Sequence, residues 1–257
     1  MLAEIKGKVS RTGSNLSERL EDNLTGNVFG ALRYLPFSDG LGKVLANSVQ
    51  SSNVESIIKE VTDDFWANKI EFWPYDQEGE LDALLTFDDT IIGIEVKFIS
   101  GLSSVDDADD GSYTLSKHQL ARESRIVARK GTNKEKVLLF IADRQMCKAV
   151  KDDIGDSKES NRKLIENGVE LGFISWQDFL HELKQLNGLD QFQQIIIQDL
   201  IELLTRKGFE DFINMDINGA PFIHSDQLFN FNISTNKVTI DFKNDTLINK
   251  ELYYEFN

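Results

Sequence analysis

Two runs of alternating apolar and polar residues, 79–87 and 90–98, flank a charged turn at Asp88-Asp89. Apolar β-formers on both sides of a polar break predict a β-hairpin. Around a two-residue turn, Asp82 is expected opposite Glu95, and Glu80 opposite Lys97. Since strand side chains alternate, these charged groups share one face. The opposite face is apolar and consists of Leu81, Ala83, Leu85, Phe87, Ile92, Ile94, Val96 and Phe98.

The charged face of this hairpin has two interpretations. Directly opposed residues of an antiparallel pair lie roughly 5 Å apart, and like charges placed there repel. A divalent ion between the Asp82 and Glu95 carboxylates removes the conflict, and oxygen ligands suit Mg²⁺ or Mn²⁺. The alternative is a solvated strand face with a Glu80–Lys97 cross-strand pair. The residues alone leave both interpretations open.

An amphipathic pattern over residues 15–35 predicts a helix that begins at Ser14 or Asn15 and ends before Pro36. Glu21 falls inside its apolar stripe, whereas Asp22 is expected to point away. A carboxylate in a core-facing stripe is costly unless a charge meets it. The pattern therefore predicts that the helix carries Glu21 to the Asp82–Glu95–Lys97 cluster, with an exposed position at a domain edge as the alternative. The stripe consists of Leu20, Leu24, Val28, Ala31, Leu32 and Leu35.

The rest of the chain alternates strand and helix patterns, which predicts an α/β fold with a mixed sheet flanked by helices. The unbroken apolar run 137–141 indicates a central strand covered on both faces. Residues 208–257 are rich in Phe, Asn and Ile and predict a small β-rich extension after a main domain of residues 1–207. The other predicted strands are 69–75 and 169–174, and the other predicted helices are two pieces within 41–62, then 115–130, 158–167, 175–183 and 191–207.

The predicted helix 115–130 carries one basic side. His118, Arg122, Arg125 and Arg129 cluster within roughly 60° opposite its apolar residues, and Gln119 lies on the flank. In so acidic a chain this stripe is the candidate surface for binding phosphates. A solvated helix face is the alternative.

Composition narrows the function classes. The 257 residues carry a formal net charge of −15, which argues against a basic coat that grips nucleic acid non-specifically. A local basic patch or bound metal ions remain compatible with that charge. The single cysteine, Cys147, excludes an internal disulfide framework and a multi-cysteine zinc site. No signal-peptide pattern or apolar run of about 18 residues occurs, which predicts a cytoplasmic protein without a membrane segment.

Taken together, these motifs resemble the PD-(D/E)XK nuclease superfamily, whose restriction-endonuclease-like core is an αβββαβ unit. The resemblance rests on helical Glu21, the segment Gly79-Glu80-Leu81-Asp82, the tripeptide Glu95-Val96-Lys97 and the helix with Gln119-Leu120. The helix motif Glu21-Asp22-x-Leu24-Thr25 and the Ser175-Trp176 segment are similar to uncharacterised bacterial members. Leu81 departs from the pattern, since many members have proline before the aspartate.

The resemblance implies a mechanism residue by residue. Asp82 and Glu95 are expected to hold Mg²⁺ or Mn²⁺, with the Val96 carbonyl and Glu21 as further ligands. Lys97 is expected to orient or deprotonate the attacking water, and Gln119 to position water or phosphate.

A metal-dependent endonuclease is therefore expected, with nucleic acid as its partner. DNA is favoured, in restriction, phage defence or repair, and RNA is not distinguished from it. A homodimer or a partner subunit stays open. The large negative charge also keeps open a catalytically inactive subunit of the same fold that acts as a binding or scaffolding protein.

Overall fold

The computed structural model describes residues 16–98, 118–159 and 164–211. The chain divides into two compact units, Met1–Phe212 and Ile213–Asn257, and all the described residues belong to the first. The predicted β-rich extension therefore lies outside the described residues, apart from positions 208–211.

Helices and strands alternate along the first unit. The helices are α1 (Leu16–Leu32), α2 (Leu41–Ser48), α3 (Ser52–Lys59), α4 (Gln119–Lys130), α5 (Arg144–Glu159), α6 (Trp176–Gln185) and α7 (Gln191–Arg206). The strands are β1 (Ile70–Phe72), β2 (Tyr75–Asp76), β3 (Gly79–Glu80), β4 (Ala83–Thr86), β5 (Thr90–Val96), β6 (Glu135–Ala142) and β7 (Val169–Ser175).

Within the described residues, a five-stranded sheet has the order β1-β4-β5-β6-β7. The first three strands pair antiparallel and the last three pair parallel, so the sheet is mixed. Ala83 pairs with Ile94 and Thr86 with Ile91, which is the register predicted from a two-residue turn at Asp88-Asp89. The predicted α/β fold, a mixed sheet flanked by helices, is confirmed at this level.

The sheet separates two apolar cores. Strand β6 shows this alternation best, because Val137, Leu139 and Ile141 enter one core while Leu138, Phe140 and Ala142 enter the other. The first core is covered by α1, α2, α3, α6 and α7. The second is covered by α4 and α5. The prediction of a central strand covered on both faces is confirmed.

The predicted apolar hairpin face is right apart from Leu81. Its members from Ala83 to Val96 line the first core, and Phe98 packs against it. Leu81 packs in the second core instead. Strand β4 begins only at Ala83, so the alternation of the hairpin does not extend back to Leu81.

Two other predictions need correction. The strand predicted over 69–75 is shorter, because Trp73 adopts a φ of 51° and turns the chain into the β2–β3 hairpin. The helix predicted over 158–167 is wrong at 164–167, which are not helical, and its positions 160–163 lie outside the described residues. The helix is Arg144–Glu159, and the Asp143 carboxylate accepts hydrogen bonds from the N–H groups of Gln145 and Met146 at its start.

The two final helices match their predicted starts. The Ser175 hydroxyl accepts a hydrogen bond from the N–H of Asp178 and caps α6. Asp190 and Gln193 form a capping box that begins α7, and Gly208, with a φ of 84°, ends the last turn. No helix in the described part of the chain is both long and apolar enough to cross a membrane.

Candidate functional site

The β4–β5 hairpin brings Asp82 and the end of β5 together. Asp82 directly precedes β4, and its Oδ2 accepts a hydrogen bond from the backbone N–H of Val96 at 2.8 Å. The N–H and C=O groups of one strand residue point to the same side, so the Val96 carbonyl also faces Asp82. The Asp82 carboxylate thus lies across the hairpin from Glu95, as the register predicted.

Lys97 lies in the middle of the charged cluster. Its Nζ is 2.8 Å from Oε1 of Glu95 and 3.8 Å from Oε2 of Glu21. Its backbone is held on two sides, because its N–H donates to the Ile141 carbonyl at 2.7 Å and its carbonyl accepts from Nε1 of Trp176 at 3.0 Å. The ammonium therefore projects from a rigid position at the end of β5.

Helix α1 contributes Glu21, as its position in the apolar stripe predicted. Glu21 is 7% exposed, and its Oε1 accepts a hydrogen bond from the N–H of Phe98 at 3.0 Å. The same carboxylate forms the longer ion pair with Lys97. Asp22, which was expected to point away from the stripe, is also buried, with 5% exposure.

Helix α4 contributes two polar side chains. Gln119 donates from Nε2 to Oε1 of Glu95 at 2.5 Å. One turn later Glu123 is 3% exposed and lies beside Gln119 and Glu95. Glu123 was not among the site residues predicted from the sequence. The available signal was its spacing, since residues four apart share one helix face.

Glu80 does not take part as predicted. It belongs to β3 and pairs with Tyr75 in a separate two-stranded sheet. It is exposed, and it is not the cross-strand neighbour of Lys97. The predicted Glu80–Lys97 pairing is wrong because the hairpin ladder ends at Ala83.

Burial and mutual repulsion dominate the electrostatics of the cluster. Burial, followed by the charge of Glu95, raises the pKa of Asp82 well above its usual range. Burial and then the charge of Glu123 raise the pKa of Glu95 to about 8. Burial also raises the pKa of Glu123 to about 8, against the opposing effects of Gln119 and Lys97. Burial works against the charge of Lys97, but Glu95 and Glu21 outweigh it and raise the Lys97 pKa.

The basic side of α4 contacts the β2–β3 hairpin. The guanidinium of Arg125 donates to both carboxylate oxygens of Glu78 at 3.1 and 2.9 Å, and Arg122 donates to the Glu78 carbonyl. Arg129 pairs with Asp76 and Glu78. The hydrogen bond and charge of Arg125, followed by the charge of Arg129, lower the pKa of Glu78. The arginines of α4 therefore hold the β2–β3 hairpin, which directly precedes Asp82, in place against the helix.

His118 has a structural position at the start of α4. It is 2% exposed, and its Nδ1 accepts a hydrogen bond from the N–H of Leu120 at 3.2 Å. Its Nε2 lies 3.6 Å from Asp153. A contact of His118, Arg122, Arg125 and Arg129 with nucleic acid stays a prediction.

The donor chemistry of the site fits a hard divalent cation. Carboxylate oxygens of Asp82 and Glu95 and the Val96 carbonyl are the ligand types that Mg²⁺ and Mn²⁺ prefer. In addition, Oε2 of Glu123 is buried without a hydrogen-bond partner among the described residues. As the described side chains stand, no three His, Cys, Asp or Glu groups converge as a ready metal site. The carboxylate oxygens contact hydrogen-bond donors of the protein instead. Oε1 of Glu95 contacts Lys97 and Gln119, and Oδ2 of Asp82 accepts from the Val96 N–H.

Comparison of the chain with protein-family models, curated proteins and solved structures finds no match.

Proposed function

We propose that this protein is a Mg²⁺- or Mn²⁺-dependent nuclease that hydrolyses phosphodiester bonds, with DNA as its substrate. The observation that carries the proposal is the meeting of Asp82, Glu95 and Lys97 with Glu21 from a separate helix. Burying several carboxylates around one ammonium is unfavourable for stability alone. Clusters of buried ionisable groups with shifted pKa values are typical of catalytic or binding sites.

The order of elements supports the same proposal. Helix α1 precedes the antiparallel strands β1, β4 and β5, and α4 then leads to the parallel strand β6. This order agrees with the αβββαβ core of the PD-(D/E)XK nucleases that the motifs resemble. The short helices α2 and α3 and the β2–β3 hairpin are insertions relative to that order.

Each side chain has a distinct role in the proposed reaction. Asp82, Glu95 and the Val96 carbonyl would hold the divalent ion. A bound ion of this kind lowers the pKa of water and neutralises charge on the phosphate. Lys97 is an ammonium donor held by two carboxylates, so we assign it to orienting water and neutralising phosphate charge. Gln119 fixes the Glu95 carboxylate.

Glu21 has a positioning role in this proposal. It holds the N–H of Phe98 and one side of the Lys97 ammonium at the same time. The direction in which Lys97 points therefore depends on α1 as well as on β5.

The test incubates the purified full chain with linear, circular and single-stranded DNA and with RNA, in Mg²⁺, Mn²⁺ or EDTA. Cleavage is expected only with metal, and it should disappear in Asp82→Asn. The matched control is Asp199→Asn, an exposed aspartate of α7, which should cleave like the unsubstituted protein. Full activity of Asp82→Asn would remove Asp82 from the mechanism, and cleavage in EDTA would overturn the role of the metal.

A non-catalytic subunit of the same fold is the second candidate. It is favoured by the net charge of −15 together with the pairing of the α4 arginines by Asp76 and Glu78. A protein of this kind would bind a partner without cutting nucleic acid. Absence of both divalent-metal binding in calorimetry and cleavage in the assay above would support it.

A further inference from the structure

Glu123 is a buried carboxylate of α4 that the proposed mechanism does not use. It lies one helical turn after Gln119 on the side facing the sheet, and it is 3% exposed. Its Oε2 has no hydrogen-bond partner among the described residues. Buried polar atoms in folded proteins are nearly always paired, so an orphaned carboxylate oxygen calls for an explanation.

The neighbouring residue on α4 makes the contrast clear. Ser124 is also buried, but its hydroxyl donates to the Ala121 carbonyl at 2.8 Å and accepts from the N–H of Glu166 at 3.0 Å. The polar atom of Ser124 therefore makes its hydrogen bonds within the fold. The Oε2 atom of Glu123 makes none, and an apolar side chain would fill the same space at a lower cost in folding free energy.

The Glu123 carboxylate lies at the charged cluster. It is beside Glu95 and Gln119, and it interacts electrostatically with Asp82 and Lys97. The ion pairs of Lys97 within the described residues are those with Glu95 and Glu21. Among the described residues, neither Asp82 nor Glu123 forms an ion pair with that ammonium.

We infer that Glu123 is an additional oxygen ligand of the divalent ion held at Asp82 and Glu95. The inference rests on the proposed function, because it concerns the same metal. Its physical basis is that Mg²⁺ and Mn²⁺ coordinate about six oxygens, and Glu123 adds a buried carboxylate oxygen beside Glu95. Helix α4 thereby takes part in metal binding and does more than cover the sheet.

The test measures Mn²⁺ binding to the full chain, with free Mn²⁺ followed by its electron paramagnetic resonance signal. Glu123→Gln keeps the shape of the side chain and removes its charge, and at least about tenfold weaker Mn²⁺ binding is expected. The matched control is Glu170→Gln, an exposed glutamate of β7, which should bind Mn²⁺ like the unsubstituted protein.

A second variant separates ligation from charge. Glu123→Asp keeps the charge but withdraws the carboxylate by one methylene group, so weaker Mn²⁺ binding is expected here too. If Glu123→Asp binds Mn²⁺ with unchanged affinity, Glu123 is not a ligand of the ion and acts only through its charge. If Glu123→Gln does not fold, Glu123→Asp carries the test by itself.

The outcomes distinguish this inference from the proposed function. Unchanged Mn²⁺ affinity in Glu123→Gln, together with metal-dependent cleavage that requires Asp82, would overturn the ligand role of Glu123 and leave the nuclease standing. Failure of the unsubstituted protein to bind Mn²⁺ and to cleave nucleic acid would overturn both. Weaker binding in both Glu123 variants with the Glu170→Gln control intact is the supporting result.

Discussion

Glu21 of α1 accepts a hydrogen bond from the backbone N–H of Phe98, 77 positions further along the chain, at 3.0 Å. This contact attaches the first described helix to the end of β5, next to Lys97. Glu21 therefore links the position of a helix to the position of the ammonium at the centre of the site.

The two functions of Glu21 can be separated by substitution. Glu21→Gln keeps an acceptor for the Phe98 N–H, whereas Glu21→Ala leaves that N–H without one. We expect Glu21→Ala to lower the free energy of unfolding by about 1–3 kcal/mol more than Glu21→Gln, measured by urea denaturation. Equal stability of the two variants would show that the hydrogen bond to Phe98 contributes little.

A similar comparison applies to Asp82, whose carboxylate accepts the N–H of Val96. Asp82→Asn retains an acceptor and removes the charge, so it should unfold close to the unsubstituted protein while losing Mn²⁺ binding. Asp82→Ala should lose both Mn²⁺ binding and about 1–3 kcal/mol of unfolding free energy. A fully stable Asp82→Ala in urea denaturation would contradict this account of the Val96 contact.

Stability without metal should fall as the pH rises. The pKa of Glu95 goes from 4.5 to about 8 on folding, and that of Glu123 does the same. Between these values the folded state holds protons that the unfolded state has lost. Stability is therefore greatest below the lower pKa, declines through the window and levels off above the higher one.

Urea denaturation in EDTA across this pH window checks the prediction. Glu123→Gln removes one of the carboxyl groups with a raised pKa and should make the decline less steep. Mn²⁺ should stabilise the protein most at high pH, because its ligands must be deprotonated. A midpoint that rises with pH in EDTA would contradict the sign derived from Glu95 and Glu123.

Trp176 is expected to affect catalysis without touching metal. Its indole N–H donates to the Lys97 carbonyl at 3.0 Å. Trp176→Phe removes this hydrogen bond from a buried site and should lower the unfolding free energy by about 1–3 kcal/mol. We expect slower cleavage with unchanged Mn²⁺ affinity, because only the backbone of Lys97 is loosened. Weakened Mn²⁺ binding in this variant would mean that Trp176 supports the acidic residues as well.

The arginines of α4 give a prediction about the β2–β3 hairpin. Arg125→Ala leaves the Glu78 carboxylate without its two-pronged hydrogen bond, so amide hydrogen exchange over residues 76–81 should accelerate. The effect should be larger than that of Arg129→Ala, because Arg129 is 39% exposed at its side chain and Arg125 only 12%. Unchanged exchange in Arg125→Ala, with weaker DNA binding, would instead favour the phosphate-facing role predicted from the sequence.

Patterns of neighbouring residues were enough to predict the β4–β5 hairpin and most of the helices. A two-residue polar turn between alternating runs determines the strand register, because a slip by one residue would move every apolar side chain to the wrong face. That register places Asp82 opposite Glu95. Capping residues such as Ser175 predicted a helix start for the same local reason.

Other features depended on packing partners distant in the chain. Arg122, Arg125 and Arg129 form an isolated basic stripe in the sequence, and only the fold places Asp76 and Glu78 against it. Helix α5 was missed because its apolar positions are few. Cys147, Val150 and Ile154 become recognisable as a buried face once the second core is present.

The sequence by itself determined the alternating hairpin, the central strand and the inward direction of Glu21. The reason is that the spacing of apolar residues and the cost of burying a carboxylate can both be judged within one helix or strand. Only the tertiary structure decided that Glu123 is buried beside Glu95 and that Glu80 pairs with Tyr75 and not with Lys97. The physical reason is that the sequence of a helix does not show what surrounds a charged side chain. Whether it is solvated or buried depends on which surface the helix packs against.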